Sequence, residues 1–281
     1  MSACPFHELI EPETFQTTPF ASYRRLAEAG KPVWIADEAM PEGGAWAIAN
    51  RDQLDFVSCN PALFSSSAKG FIYRRLPAQR MQFMRMLLLG MDPPEHRHYR
   101  KVIAGVFKER SIAALMPMMR QRARAIVDRV APLGECDFVQ EVAAELPLQV
   151  ICEMVGVPQD DRHDIMRWAN AMIGRDDPRY NPTGREAEEA ELRLFEYGMA
   201  LGGKLLADTD STALARQVLL ADVDGDRITP EEFWALFYVL LLAGIETTRT
   251  ALTNGMYQLI LHPDQLAGLL HPAKPVLDDF E

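Results

Sequence analysis

Apolar positions recur every three to four residues along most of the chain, which is the spacing of amphipathic helices. Beyond residue 91 this pattern predicts eight helices, most of them separated by short segments that contain Gly, Pro or Asp. The predicted helices cover residues 93–107, 112–130, 141–155, 160–173, 184–207, 212–221, 230–261 and 264–270. The chain is therefore predicted to be mainly α-helical.

The first 91 residues have a different pattern. Positions 20–29 have helical spacing and end at Gly30, while the runs VWIA (33–36) and AWAIA (45–49) flank a turn with Pro and Gly and predict a β-hairpin. Asn50 is placed to cap a short helix over 51–59. Residues 60–91 predict a long irregular loop, which in a compact domain usually has a function. A brief strand is predicted over the sequence CDFV that begins at Cys136.

Composition and charge narrow the class of protein. Of the 281 residues 48% are apolar, enough for a sizeable core, and 29 basic against 40 acidic residues give a net charge of −11. That charge argues against binding to nucleic acid or to an anionic membrane through bulk charge. The longest apolar run, 233–245, is shorter than the roughly 20 residues of a membrane span. The four cysteines show no paired short spacing and no signal peptide is visible, so a reduced, cytoplasmic setting is expected.

The first candidate motif is MDPPEHRHYRKV, beginning at Met91. Asp92 occupies an N-cap position ahead of two prolines in the first helical turn. His96 and Arg100 lie four residues apart on one helix face, where two cationic donors suit a partly buried anion. Taken alone, the motif would favour the alternative of a solvated basic helix surface.

The second candidate motif is AGIETT, residues 243–248, in the middle of the long apolar helix 230–261. A carboxylate at Glu246 is costly in such a helix unless something polar meets it, which indicates a functional pocket. Gly244 would let a flat ligand approach the backbone, and a Thr hydroxyl bonded to a preceding carbonyl can open a helix locally. The alternative, a core helix in which Glu246 pairs with Arg249 or Arg110, is left equally open by the motif alone.

Together the two motifs resemble those of soluble bacterial cytochromes P450. The first matches the family's helix C, which implies that His96 and Arg100 bind the propionates of haem b. The second matches helix I, which implies a proton relay at Glu246 and the oxygen-activating position at Thr247. The resemblance implies a monooxygenase that hydroxylates an apolar substrate with O2 and electrons from a ferredoxin-type redox partner. It thus implies the cytochrome P450 fold, mainly α-helical with a small N-terminal hairpin.

Further residues acquire expected roles from the same resemblance. Ala243 and Gly244 would lie beside the cofactor. The substrate side would include Phe71, Ile72, Met84 and Leu240. Arg97 and Lys101 would form a local basic patch for an acidic redox partner. The stretch from Leu146 to Tyr180 resembles P450s that oxidise sterol side chains, terpenes and branched lipids.

The resemblance runs from about residue 20 to residue 270 and does not reach the family's ExxR motif or its haem-ligating cysteine loop. The expectation is a single truncated domain over 1–281, with a hairpin and substrate-loop region at 20–91, a helical core at 92–270 and a tail at 271–281. No cysteine stands in the ligand context, so no metal ligand is assigned. Two hypotheses follow: a P450 that a separate C-terminal fragment would complement, or a catalytically inactive P450-derived fragment with weak or no haem binding.

A third hypothesis is a calcium-responsive helical protein. It rests on the segment DVDGDRITPEEF, in which Asp222, Asp224 and Asp226 have the spacing of a calcium loop. Arg227 stands where such a loop needs Gly, and Phe233 stands where it needs a bidentate Glu. A turn that caps the next helix at Thr229 is therefore the favoured interpretation of this segment.

Overall fold

The computed structural model describes residue 9 and residues 20–38, 40–72, 75–223 and 226–270. By its contacts the chain divides into two compact units, residues 1–100 and 101–281. The prediction of a single domain with its three regions stays a prediction. The helices are α1 (Phe20–Glu28), α2 (Arg51–Cys59), α3 (Ser66–Lys69), α4 (Ala78–Met86), α5 (Glu95–Val106), α6 (Glu109–Val130), α7 (Glu145–Val155), α8 (Arg162–Ile173), α9 (Glu186–Ala207), α10 (Leu214–Leu219), α11 (Pro230–Leu261) and α12 (Pro263–Leu270).

The first unit contains the predicted hairpin and the two helices that flank it. Strands β1 (Val33–Ala36) and β2 (Gly44–Ala47) pair antiparallel, with Trp34 opposite Trp46 and their ring centroids 5.3 Å apart. Strand β2 begins one residue earlier and ends two residues earlier than predicted. Asn50 caps α2 as expected, because its side-chain oxygen accepts the amide of Asp52 at 2.9 Å.

The prediction of an irregular loop over residues 60–91 is wrong in part, because α3, α4 and a 3-10 turn at Leu88–Gly90 lie within it. The Ser65 hydroxyl caps α3 by accepting the amide of Ala68 at 2.9 Å. Helix α4 escaped the pattern because its apolar residues are spread around the helix and form no single stripe. A four-residue helix with a serine cap and a helix without an apolar stripe both leave little periodic signal in the sequence.

The predicted strand at CDFV is also wrong. The Asp137 side chain accepts the amides of Val139 at 3.0 Å and Gln140 at 3.1 Å, and the chain continues as a π-helical turn over Val139–Ala143. Helix α7 consequently begins at Glu145, four residues later than predicted. The apolar pair Phe138 and Val139 had suggested a strand, but the local Asp137 hydrogen bonds determine the backbone.

Helix α11 forms the centre of the second unit. It has the predicted bounds and packs against α7 and α9. Its buried side chains lie in the N-terminal half: Phe233, Trp234, Ala235, Leu236, Phe237, Tyr238, Leu241 and Ile245. Gly198 of α9 allows this close approach, because a Cβ there would lie 2.8 Å from Trp234 Cδ1 and 3.0 Å from Phe237 Cδ1. Among the described helices α11 alone is long and apolar enough to cross a bilayer, a test that a core helix also passes.

The start of α11 follows its sequence signals. Thr229 Oγ1 accepts the amide of Glu232 at 3.2 Å, and Glu232 Oε2 accepts the amide of Thr229 at 2.7 Å, which is a capping box. Ahead of it, β3 (Asp222–Val223) and β4 (Asp226–Arg227) form a second small antiparallel hairpin that the sequence had not indicated. The calcium-loop hypothesis depends on Asp224, which lies outside the described residues.

Candidate active site

The predicted motif at residues 243–248 lies in the middle of α11, where the buried half of the helix gives way to an exposed half. The Thr247 hydroxyl donates to the carbonyl oxygen of Ala243 at 2.5 Å, as expected for a hydroxyl bonded to a preceding carbonyl. Both residues are exposed. The helix is continuous across this turn, so the hydrogen bond does not break it.

Glu246 is held by an ion pair with Arg249, three residues along the same helix. The Arg249 Nη2 donates to Glu246 Oε2, and its Nη1 donates to Asn170 Oδ1 of α8 at 3.0 Å. The Thr250 hydroxyl lies 3.4 Å from the other carboxylate oxygen, Oε1. The structure therefore shows the pairing with Arg249 that the sequence had left open as an alternative.

Gly244 and Ala243 take different positions although they are adjacent. A Cβ on Gly244 would lie 2.9 Å from Ile151 Cδ1, so glycine here allows α7 to pack closely against α11. Ala243 is exposed. Of the two residues expected beside the cofactor, Ala243 presents the more open surface.

An apolar cavity of about 480 Å³ lies in the second unit beside this turn. Helix α11 contributes four of its lining residues, including the predicted substrate contact Leu240, and α7 contributes most of the others. The lining is Phe107, Met119, Leu146, Pro147, Val150, Ile151, Met154, Leu240, Ala243, Gly244 and Thr248. The periodic apolar pattern of each helix was readable from the sequence, but their convergence on one cavity was not.

The basic motif lies on α5, which begins at Glu95, two residues later than predicted, after a cis Pro93–Pro94 bond. His96 is half-buried and Arg100 is exposed, and they share one face of the helix as expected. Within the described part of the chain neither side chain has a hydrogen-bond or ion-pair partner. Their donors are thus available to an anion. Arg97 and Lys101 are exposed on the same helix.

Asp92 does not use its side chain as the helix cap that the sequence predicted. Its carboxylate accepts the hydroxyls of Ser65 at 2.5 Å and Ser67 at 2.7 Å and the amide of Ser66 at 2.8 Å. These hydrogen bonds, chiefly those from the two hydroxyls, lower the pKa of Asp92 to about 2. This contact could not be predicted from the sequence, because 25 to 27 residues separate the partners.

Acid should remove the stabilisation that Asp92 provides. Because the pKa is lower in the folded state, this stabilisation is complete above the ordinary value of 3.8 and is lost as the pH falls toward about 2. We expect Asp92→Asn to lower the free energy of unfolding at pH 6, and the difference from wild type to shrink steadily below pH 4. Urea unfolding across this range measures it. The exposed Asp55→Asn, also in the first unit, is the control, and a difference independent of pH would contradict the assignment.

The other predicted substrate contacts belong to the first unit. Phe71 and Ile72 follow α3, and Phe71 is exposed while Ile72 is half-buried. Met84 of α4 is 4% exposed, so it can contact a ligand only if its neighbours move.

Several known proteins are similar to the chain in sequence or in structure. No family model matches it. A steroid C26-monooxygenase from Mycobacterium tuberculosis is 32% identical over 271 residues, which cover 93% of this chain and 62% of that protein. A methyl-branched lipid omega-hydroxylase from the same species is 31% identical over 252 residues, covering 88% and 58%. A Mycobacterium marinum cytochrome P450 solved with pseudoionone, CYP268A2, has a TM-score of 0.81 at 27% identity, covering 95% of this chain and 65% of its own. The chain is therefore similar in sequence and in fold to cytochromes P450 over nearly its whole length.

The predicted P450 fold, mainly helical with a small N-terminal hairpin, is thereby confirmed. The chain spans about three fifths of the length of the curated relatives it matches, 62% and 58% for the two M. tuberculosis proteins. Haem is the cofactor that the family implies.

The described residues fit one part of a haem and not another. The unpartnered donors of His96 and Arg100 suit its carboxylates. The three described cysteines do not suit its iron: Cys59 and Cys136 are exposed, and burial raises the pKa of the Cys152 thiol to about 12, which keeps it protonated. Cys4 lies outside the described residues. Within the described residues no three His, Cys, Asp or Glu side chains cluster to hold a metal ion.

Proposed function

We propose that the chain forms the oxygen- and substrate-binding portion of a P450 monooxygenase that hydroxylates an apolar substrate. The observation that carries the proposal is the turn of α11 at which the Thr247 hydroxyl is fixed on the Ala243 carbonyl and the adjacent Glu246 is paired, beside an apolar cavity. Polar groups that are held in place beside an apolar cavity are typical of a proton path. The named activities of the relatives, both oxygenations of apolar molecules, support the same reaction class.

The proposed substrate is a steroid or a methyl-branched lipid. The names of the two M. tuberculosis relatives support this class. The lining of the cavity is almost entirely apolar, which suits the alkyl carbons of such a molecule. Leu240 is the proposed substrate contact on α11, and Phe71, Ile72 and Met84 are those proposed in the first unit.

Haem, when bound, would supply the oxygen chemistry, and this chain would supply orientation and protons. His96 and Arg100 would bind its carboxylates through charge-assisted hydrogen bonds. Glu246 would exchange a proton at Oε1, because Arg249 occupies Oε2. The Thr247 hydroxyl would be the neighbouring proton donor and acceptor, kept in one rotamer by the Ala243 carbonyl.

The proposed redox partner is a ferredoxin-type protein. An acidic carrier would meet the exposed basic side chains Arg97 and Lys101 on α5, a local patch in a chain whose net charge is −11. The proposed location is the cytoplasm, where such carriers reduce bacterial P450s. A complementing polypeptide would have to supply the thiolate that Cys59, Cys136 and Cys152 are not placed to give.

The cysteines favour a second candidate for the 281 residues alone, a catalytically inactive P450-derived fragment. A protonated, buried Cys152 gives iron no thiolate, and without one the cofactor lacks the donor that promotes O–O cleavage. The two candidates therefore share a fold and differ in how the chain holds haem: one haem per chain in the first, weak or no haem binding in the second.

An absorption spectrum of the purified chain, reconstituted with haem and then reduced under carbon monoxide, separates them. We expect one haem per chain and no Soret band of the thiolate-ligated type. No haem uptake would contradict the proposed function for this chain and leave the inactive fragment. A thiolate-type band would instead show that a cysteine reaches the iron, and Cys4→Ser, Cys59→Ser, Cys136→Ser and Cys152→Ser would identify which one of the four.

A further inference from the structure

We propose that Arg249 is a positioning residue that fixes the orientation of Glu246 and makes that orientation depend on α8. The proposal rests on the proposed function, in which Glu246 exchanges protons. It extends that function by naming what holds the acid, and by connecting it to a different helix through Asn170.

The contacts show how one guanidinium can serve both purposes. Its Nη2 donates to Glu246 Oε2 and its Nη1 donates to Asn170 Oδ1 at 3.0 Å. The Arg249 side chain is only 17% exposed and that of Glu246 is 31% exposed, so solvent competes little for these bonds. A planar guanidinium with fixed donors cannot rotate toward one acceptor without moving relative to the other.

Asn170 lies near the C-terminal end of α8, so a displacement of that end would change its contact with Arg249. It is the fourth residue from the helix end at Ile173, and its carbonyl accepts the amide of Gly174 at 2.8 Å, closing the last turn. It also borders a cavity of about 600 Å³ that is lined by α8, by α9 and by Arg179 and Tyr180 of the connecting segment. A shift of this end of α8 would withdraw the amide oxygen from Arg249.

The remaining contacts of Glu246 would not keep its orientation on their own. The Thr250 hydroxyl is 3.4 Å from Oε1, a long hydrogen bond on an exposed side of the helix. An ion pair between residues three apart on one helix, with no further partner, stabilises the helix weakly and leaves both side chains several rotamers. Asn170 is thus the contact that converts a local ion pair into a fixed arrangement.

The test is solution NMR of the 281-residue chain without haem, with the glutamate side-chain carboxyl carbons labelled with ¹³C. The Glu246 resonance is assigned by its loss in Glu246→Gln. We expect Arg249→Leu to shift this resonance, and Asn170→Ala to shift it in the same direction although Asn170 does not touch Glu246. The exposed Asn254→Ala on α11 is the matched control and should leave the resonance unchanged.

Conservative variants separate positioning from general loosening of the fold. Arg249→Lys keeps the charge but loses the two-acceptor fork, so Asn170→Ala should have no further effect on Glu246 in that background. Asn170→Asp offers Arg249 a charged acceptor, a contact that Asn170→Ala cannot make. The resonance should therefore shift differently in these two variants. Far-ultraviolet circular dichroism confirms that each variant is folded.

The proposal is overturned if Asn170→Ala leaves the Glu246 resonance unmoved, or if the effects of Asn170→Ala and Arg249→Leu simply add in the double variant. Because no haem is present, the outcome does not depend on cofactor binding. Failure of the proposed function is detected separately by haem uptake, so the two failures are distinguishable.

Discussion

Replacing Phe237 by alanine is expected to lower the free energy of unfolding of the chain by about 3–5 kcal/mol. Phe237 is 1% exposed and is among the largest fully buried side chains of the described residues. Its ring stacks on Phe233 with centroids 6.2 Å apart and lies against Gly198 of α9. Removing the ring leaves a cavity between two helices, which adds to the lost transfer free energy.

Urea unfolding followed by circular dichroism measures this difference. Tyr257→Ala is the matched control, because Tyr257 lies on the same helix but is 58% exposed, and its loss should change stability by only about 0.5 kcal/mol. Equal effects of the two substitutions would show that the N-terminal half of α11 is not the centre of the second unit.

The elements that the sequence predicted well are those with both a periodic apolar stripe and a recognisable end. Helix α11 has a capping box at Thr229, and α2 has Asn50, so their bounds match the prediction. The errors occur where the apolar stripe is missing, as in α4, or where side-chain hydrogen bonds determine the backbone, as those of Asp137 do ahead of α7. Periodicity detects burial, and such local bonds leave burial unchanged.

The candidate site was predicted in its local parts and missed in its long-range parts. His96 and Arg100 share a helix face by spacing alone, and the hydrogen bond from Thr247 to Ala243 follows from helix geometry. Asn170 could not be found in this way, because 79 residues separate it from Arg249. Similarly, the pattern predicted that Asp92 caps its own helix, whereas in the structure its carboxylate accepts hydrogen bonds from Ser65 and Ser67. Only the packing of helices brings such partners together.

Loss of the His96 and Arg100 side chains on α5 is expected to have the largest effect on haem affinity. Hydrogen bonds to a charged group contribute about 1.5–3 kcal/mol, so Arg100→Ala alone should weaken haem binding by roughly ten- to a hundredfold. The double variant His96→Ala, Arg100→Ala should weaken it further, because both donors would bind the same carboxylate edge of the cofactor. Titration with haemin, followed by Soret absorbance, gives the dissociation constants.

Lys101→Ala is the control that makes this prediction specific. It removes one positive charge from the same helix, but Lys101 lies about 100° around the helix from Arg100 and about 140° from His96, off their shared face. Haem affinity should stay within about twofold of wild type in this variant, since the interaction of an exposed charge off that face with the haem carboxylates is screened by salt and water. Arg100→Lys should fall between the two, because lysine keeps the charge but not the bidentate geometry. Equal losses in Lys101→Ala and Arg100→Ala would mean that α5 acts through its overall charge, and the assignment of His96 and Arg100 as carboxylate-binding residues would be wrong.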